Sequence, residues 1–537
     1  VTELVADERQ MEAVESLDDQ VLVIAPPGCG KTELLAMRAE FLVREGRILP
    51  GRRLLAITYS KRARDNMRQR IQERLGPELT SRFVTVLNFH GLAGRIVRAH
   101  ATTLDIPKDF VMPTKRWFGD AVSQIGAGWE SRKAAESRLL EVKSSPISDV
   151  EIDAQLRSSG DELALAVEQV RRSANRLDYQ DLIRHAQRLL HVPGVARLYQ
   201  SHFDAVLVDE FQDLSLQQFD IVTRACTRRG TYVGDPLQGI YSWAGAQPDA
   251  VIAALRDRCT TRVDLNVSYR SSPEVLAIVN AVGVPIGATE LHAADPSAWG
   301  SGQRTRAYVF DSEEDEASKI AELAVGIARK RPQAAVAVIA RSGWRRGPLD
   351  RELSAVDDVP LQFWDMALDH PGLLTALRTA ATGIAATLPL EDQLRMLNER
   401  CLHGLAGDDD VDTANILGDA IDLLRQRASE GEGVRAVLAR TKAVDVTDVA
   451  PPGVHVLNAH LGKGQQFDWV FVIGLEEGHV PDYRSLEDPE EARALMVMLS
   501  RAKRGLVVSR SRTVKTKYGT TKSAPRSRWW DQLAAAA

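Results

Sequence analysis

The chain has 537 residues, 44% of them apolar and 26% charged, with a formal net charge of −5. At roughly 100–200 residues per domain this predicts three or four packed globular domains. Four cysteines, Cys29, Cys226, Cys259 and Cys401, form no CxxC pair, which argues against a disulfide framework, a zinc site or an iron–sulfur cluster and predicts a reducing cytoplasm.

The chain opens VTELVADERQ, without the basic-then-apolar pattern of a signal peptide, and no apolar run is long enough to span a bilayer. The acidic balance does not by itself announce a polyanion binder. Two local stretches are basic: 61–74 is Arg-rich, and 501–530 contains many Lys and Arg and no acid. Each is either a solvated face or a phosphate-tracking surface.

In chain order, Val21-Leu22-Val23-Ile24 predicts a buried strand, followed by a Pro/Gly turn and an amphipathic helix from Lys31 to Glu45. Leu54-Leu55-Ala56-Ile57 predicts a second strand, with a helix through Leu75. Ala205-Val206-Leu207-Val208 and Thr231-Tyr232-Val233 are further strands. Strands alternating with helices predict a parallel sheet covered on both faces. Residues 91–190 carry no apolar strand run and read as an inserted helical subdomain. A second α/β set begins near Leu265, with strands at Val336-Ala337-Val338-Ile339, 469–473 and Leu506-Val507-Val508. Residues 372–450 are again helical, with acidic and Gly-rich breaks.

Ala25-Pro26-Pro27-Gly28-Cys29-Gly30-Lys31-Thr32 lies between the first strand and its helix. Its glycines let backbone N–H groups curl around phosphates, and the helix N-terminus adds a favourable field. Lys31 would neutralise the β- and γ-phosphates of ATP, and Thr32 would hold Mg²⁺. The first position is Ala25 where the strict pattern has Gly. Val206-Leu207-Val208-Asp209-Glu210 is the expected partner: an apolar strand ending in two carboxylates. Asp209 at the strand tip would hold Mg²⁺, and Glu210 would accept a proton from the attacking water.

Further segments carry a resemblance beyond a generic phosphate loop. The run 208–213 (VDEFQD) resembles motif II of superfamily 1A helicases, the UvrD/Rep/PcrA group. The segment 233–245 (VGDPLQGIYSWAG) resembles motif III, 58–63 (TYSKRA) motif Ia, and 88–92 (NFHGL) the family motif that follows. The segment 268–272 (SYRSS) resembles motif IV, 457–468 (LNAHLGKGQQFD) motif V, and 499–503 (LSRAK) motif VI. Each match is weak alone, but together they run in family order from Gln10 to about Ser509.

The resemblance implies two RecA-like parallel-sheet motor domains, each interrupted by a helical insertion. The expected bounds are 1–90 with 191–264 for the first motor domain and 91–190 for its insertion. The second motor domain is expected at 265–371 with 451–537, and its insertion at 372–450. By resemblance, Gln10 would read the adenine edge and Tyr269 would stack on the ring. Arg270 and Arg501 would act as arginine fingers, because a delocalised guanidinium suits charge spread over a transferring phosphoryl group. Gln238 would sense the γ-phosphate. His460, Lys463 and Gly464 would link the ATP site to the strand. Gln466 stands where the family usually has Glu, as a ribose contact. Thr58 and His90 would touch phosphates, and Tyr59, Phe89, Tyr241 and Trp243 would offer faces to unpaired bases; for Phe89 a core position is the competing reading.

The implied activity is an ATP-dependent single-stranded DNA translocase and helicase of 3′→5′ polarity, in repair or replication restart. Its partners would be single strands and single–double-strand junctions, with a nuclease or repair protein as a further possible partner. The second insertion looks reduced, and the family segment expected near its start is replaced by Gln362-Phe363-Trp364-Asp365-Met366. The alternative reading is a nucleic-acid-sensing ATPase subunit of a bacterial antiphage defence complex that regulates a partner nuclease.

Overall fold

The computed structural model describes residues 6–537 apart from 60, 105, 112–116, 126–128, 241–244, 301–303, 365–370, 386, 405–416, 418–419, 422–423, 426–427, 429–432, 441–449, 460–463, 484 and 516–519. The chain divides into two compact units, one of residues 1–25 with 30–265 and one of residues 26–29 with 266–537.

The first unit holds strands β1 (Gln20–Ile24), β2 (Arg53–Thr58), β3 (Val84–Asn88), β4 (Phe203–Asp209), β5 (Arg229–Gly234) and β6 (Thr261–Asp264). They form a six-stranded sheet in the order β3-β2-β4-β5-β1-β6, and every neighbouring pair is parallel. β4 is buried along its whole length, as a strand covered on both faces must be. The four strands read from apolar runs lie here. β3 (VTVLN) and β6 (TRVD) are additional edge strands whose apolar runs are interrupted or absent.

Helices Phe89–His100 and Tyr179–Leu190 pack with this sheet in one apolar cluster that includes Leu92, Ile96, Leu182, Leu189 and Phe211. In the second of these helices, Leu182, Ile183, Ala186, Leu189 and Leu190 form one buried stripe at helical spacing. Asp178 and Asp181 form its capping box. A separate cluster built on Trp117, Leu139, Ile152, Leu156 and Val167 holds the helices between them.

A buried charge network ties that helical cluster to the helix Tyr179–Leu190. Lys143 lies 2.5 Å from Glu168, 2.6 Å from Asp178 and 3.1 Å from Asp181. Arg171 and Arg184 also bond Asp181, at 3.0 and 2.8 Å. Burial and the adjacent Arg184 push His185 down to about 3, so it stays neutral.

The second unit holds β7 (Val267–Ser268), β8 (His292–Ala293), β9 (Thr305–Ser312), β10 (Ala335–Ala340), β11 (Leu361–Phe363), β12 (Gly453–Asn458), β13 (Phe467–Val472), β14 (Ala502–Lys515) and β15 (Thr521–Ser523). Seven of them form a sheet in the order β11-β12-β10-β13-β14-β15, with β9 also on β14. Its core is Val336, Val338, Val454, Val456, Phe471 and their neighbours. Leu374, Leu377, Leu394, Leu397, Leu424 and Val437 make a distinct helical cluster within 372–450.

The basic stretches are largely engaged in ion pairs. Arg70 and Arg74 bond Glu33 and Glu40. Arg512 pairs with Asp311, Lys515 with Glu314, Arg526 with Asp531 and Arg528 with Glu477. The solvated-face reading of these stretches therefore fits better than a bare phosphate-tracking surface.

Removing Lys143 would leave the buried Glu168 and Asp181, and the half-buried Asp178, short of one cation. Lys143→Met is expected to destabilise the first unit by about 3–5 kcal/mol, read by urea unfolding. A loss under about 1 kcal/mol would contradict the network's role.

Candidate active site

Six parallel strands bring their C-terminal ends to one edge of the first sheet, where α/β proteins bind ligands. β1 leaves the sheet at Ile24, and the Ala25 N–H donates to the Gly234 carbonyl at 2.8 Å. The helix Lys31–Arg44 starts after Gly30, whose backbone is left-handed at φ 75°. Lys31 and Thr32 are partly exposed in its first turn, while Ala25, Pro26, Pro27 and Cys29 are buried. Gln10 comes from the helix Glu8–Glu15. The Asp7 N–H donates to its Oε1 at 3.2 Å, and its own N–H donates to Asp7 Oδ1 at 2.8 Å. This capping box turns Nε2 toward the loop, where a Cβ on Gly30 would stand 3.0 Å from it.

β4 delivers the two carboxylates. Asp209 is buried, and its Oδ1 has no hydrogen-bond partner among the described residues. Burial, then the adjacent Glu210 charge, pushes its carboxyl up to about 7 against the pull of Lys31. An orphaned, charge-crowded carboxylate oxygen fits a hard divalent cation, so these residues suit Mg²⁺. Glu210 sits in left-handed backbone at φ 52°, a conformation costing about 1–3 kcal/mol for a residue with a side chain. Its Oε2 lies 3.3 Å from Lys31 Nζ.

β5 adds the third piece. Gln238 is buried, and its Nε2 donates to Asp235 Oδ2 at 3.0 Å. Burial raises the Asp235 carboxyl, with Lys31 opposing. Gln212, absent from the residues singled out in the sequence, lies wholly buried between β4 and β5. It donates to Glu210 and accepts from the Asp235 N–H.

β2 and β3 carry the nucleic-acid candidates. Thr58 is fully buried at the end of β2, and Tyr59 beyond it is 38% exposed. Phe89 takes the core position. It is 2% exposed and packs with Leu87, Leu92 and Phe211, so its ring has no open face for a base. His90 meets Tyr179 edge to face at 5.1 Å, and Tyr179 is itself exposed. Tyr179 was not among the residues singled out in the sequence. Tyr241, Trp243, His460 and Lys463 lie outside the described residues.

In the second unit, the Gly28 carbonyl accepts the Tyr269 N–H at 2.9 Å. Gly28 has φ 86°, and a Cβ on it would stand 2.8 Å from Arg270 Cβ and closer still to Ser268, so only glycine fits. Tyr269 is partly exposed. Arg270 Nη1 donates to the Ser500 carbonyl at 3.4 Å. Arg501 is buried; its Nε donates to Val497 O at 2.9 Å and Nη1 to Gln465 O at 3.3 Å. The Phe467 N–H returns to Arg501 O at 3.0 Å, so the motif V segment and Arg501 are held together. Gln466 beside them is partly exposed. Ser271 and Ser272 fasten the Arg270 segment to β14 through Ala502 O and Lys503 O. Backbone carbonyls thus hold both guanidiniums.

The arrangement matches known proteins at the level of families. The UvrD/REP helicase N-terminal domain family matches residues 6–258, and the UvrD-like helicase C-terminal domain family matches residues 435–513. The ATP-dependent DNA helicase UvrD1 of Mycobacterium tuberculosis (strain ATCC 25618 / H37Rv) is 25% identical across 98% of this chain and 84% of its own length. The ATP-dependent DNA helicase UvrD2 of Mycobacterium tuberculosis (strain CDC 1551 / Oshkosh) is 27% identical across 94% of this chain and 78% of its own. The ATP-dependent DNA helicase PcrA of Leuconostoc citreum is 28% identical over 51% of this chain and 38% of its own. With both family halves matched in order, and the loop, carboxylates and arginines on two parallel-sheet units, the chain belongs to the UvrD/Rep/PcrA family of superfamily 1A DNA helicases.

Proposed function

We propose that the protein is an ATP-driven translocase and helicase that moves 3′→5′ on single-stranded DNA, in DNA repair or replication restart. The observation that carries this is one sheet edge: the phosphate loop and paired carboxylates end β1 and β4, and the exposed Tyr59 follows β2, the direct neighbour of β4. Polarity and pathway rest on family membership. The antiphage reading gains no support from the relatives above, all named as DNA helicases.

In this reading Gln10 meets the adenine edge and Tyr269 its face, with Gln466 near the ribose. The phosphates lie on the loop 25–32, where Lys31 leaves Glu210 for the β- and γ-oxygens. Glu210, released from that pair, takes the proton of the attacking water. Arg270 and Arg501 oppose the charge that develops on the transferring oxygens, and Gln238 registers the γ-phosphate. Thr32 and Asp209 would hold Mg²⁺, which when bound neutralises charge on the phosphate oxygens. His90 meets a phosphate of the strand and Tyr59 a base, at about 1–3 kcal/mol per stacked base, whereas the fully buried Thr58 presents no surface to a phosphate. Tyr241, Trp243 and His460 belong to the same surface by resemblance. No helix among the described residues is long and apolar enough to cross a membrane, which is compatible with work in the cytoplasm on single strands and their junctions with duplex.

Single-stranded DNA is expected to raise kcat for ATP at least about 10-fold. Lys31→Ala and Arg501→Ala should each lower the stimulated rate about 100-fold or more, measured by phosphate release. A wild-type ATPase indifferent to DNA would sink the motor reading.

Asp209 generates a second expectation, on stability. Its folded carboxyl titrates near 7, far above its ordinary 3.8. Between those values the folded chain keeps a proton that the unfolded chain has lost, so wild-type stability falls as pH rises through that window. Asp209→Asn removes the penalty. In urea unfolding of nucleotide-free protein, the variant should gain about 2–4 kcal/mol over wild type at pH 8 and little at about pH 4 or below, while losing ATPase. A gain independent of pH would contradict the crowded, cation-seeking site.

A further inference from the structure

We propose that Gln212 is a positioning residue: its carboxamide holds the Glu210 carboxylate where water is activated and ties it to the strand end that carries Gln238. This rests on the reading of Glu210 as the proton acceptor. Gln212 Nε2 donates to Glu210 Oε2 at 2.5 Å, and its Oε1 accepts the Asp235 N–H at 2.9 Å. The orientation follows from chemistry. Reversed, the amide would set a donor against the Asp235 N–H and a carbonyl against the carboxylate, and both contacts would repel.

The side chain is wholly buried, in a slot that exists because β5 ends in glycine. A Cβ on Gly234 would stand 2.7 Å from the Phe211 ring and closer still to Gln212 Oε1. Asp235 continues the chain: its Oδ1 accepts the Leu237 N–H at 3.0 Å and its Oδ2 accepts from Gln238 Nε2 at 3.0 Å. Lys31, Glu210, Gln212, Asp235 and Gln238 are thus joined by successive polar contacts across the ends of β4 and β5.

Two consequences make this more than a structural bond. Left-handed backbone at Glu210 persists only where the surroundings hold it. The Lys31 contact is given up when Lys31 turns to phosphate, whereas the Gln212 contact survives that exchange. A shift of Gln238 toward or away from a γ-phosphate also moves Asp235, and through its N–H the amide that grips Glu210. Gln212 therefore joins nucleotide sensing to base placement.

The test is a double-mutant cycle in the full chain with saturating single-stranded DNA. Gln212→Asn is one methylene too short to reach both partners, and Gln212→Met keeps the length without the polar atoms. Each should lower kcat about 10–100-fold, as expected for a misplaced catalytic group, with KM for ATP changed less than about threefold. Urea unfolding selects whichever variant retains the wild-type transition. In a Glu210→Gln background the same substitution should lower kcat further by less than about twofold. Wild-type kcat in both Gln212 variants, or an equal fold-loss in both backgrounds, would overturn the positioning role. A Glu210→Gln protein that hydrolyses like wild type would instead sink the proton-acceptor reading, and the positioning role with it.

Discussion

Parallel pairing is the constraint from which the site follows. Each strand of the first sheet enters at the same side, so every strand end opens on one edge. Strand order then decides which chemistries meet. β5 lies between β4 and β1, so the carboxylates of β4 and the loop after β1 flank the segment that carries Asp235 and Gln238. β2, on the other side of β4, ends in Thr58 and is followed by Tyr59. In the proposed reading, a change at the phosphates would have a short route to Tyr59 through neighbouring strands rather than a loop.

The same low-dielectric interior is used in two ways. Around Lys143, buried carboxylates and cations are matched one against another, and the network fastens helices. Arg345 does likewise in the second unit, bonding both Glu316 and Glu476. At the strand edge the balance is left incomplete. Asp209 and Asp235 are buried acids with Lys31 as their main opposing charge. Such a site costs stability in the folded chain, and that uncompensated burial is what separates it from the structural clusters.

Much of this was legible in the sequence because it is local. A strand, a glycine-bearing turn and Lys31 at a helix start are neighbours in the chain, as are Asp209 and Glu210 at a strand tip. What failed was mostly non-local. β3, β6, β9, β11 and β12 are short, polar or embedded in motif segments, and gain their hydrogen bonds only from partners far along the chain, while β15 is three exposed polar residues on a local hairpin to β14. Leu506-Val507-Val508 marked only the apolar centre of β14, which runs on through alternating Arg and Ser. Phe89 could not be told from a stacking ring by its neighbours; its place at the start of a helix under the sheet put it in the core. The lack of apolar strand runs marked 91–190 as helical, but did not show that Phe89–His100 and Tyr179–Leu190 would bury their apolar faces against the first sheet. In the basic stretch near the end, Arg512, Lys515 and Arg528 pair with Asp311, Glu314 and Glu477, all distant in sequence. Gln212 was a letter in a motif until β5 was seen beside β4.

The central claim is that hydrolysis at this edge moves the protein along a strand, and timed arrival at a strand end tests it most directly. Protein bound to single-stranded DNA of graded length, with a fluorophore at the 5′ or the 3′ end, is mixed rapidly with ATP and a trap for free protein. The account predicts a signal at the 5′ end after a lag that lengthens in proportion to the strand, and no such lag at the 3′ end. DNA-stimulated hydrolysis with no length-dependent lag at either end would contradict it.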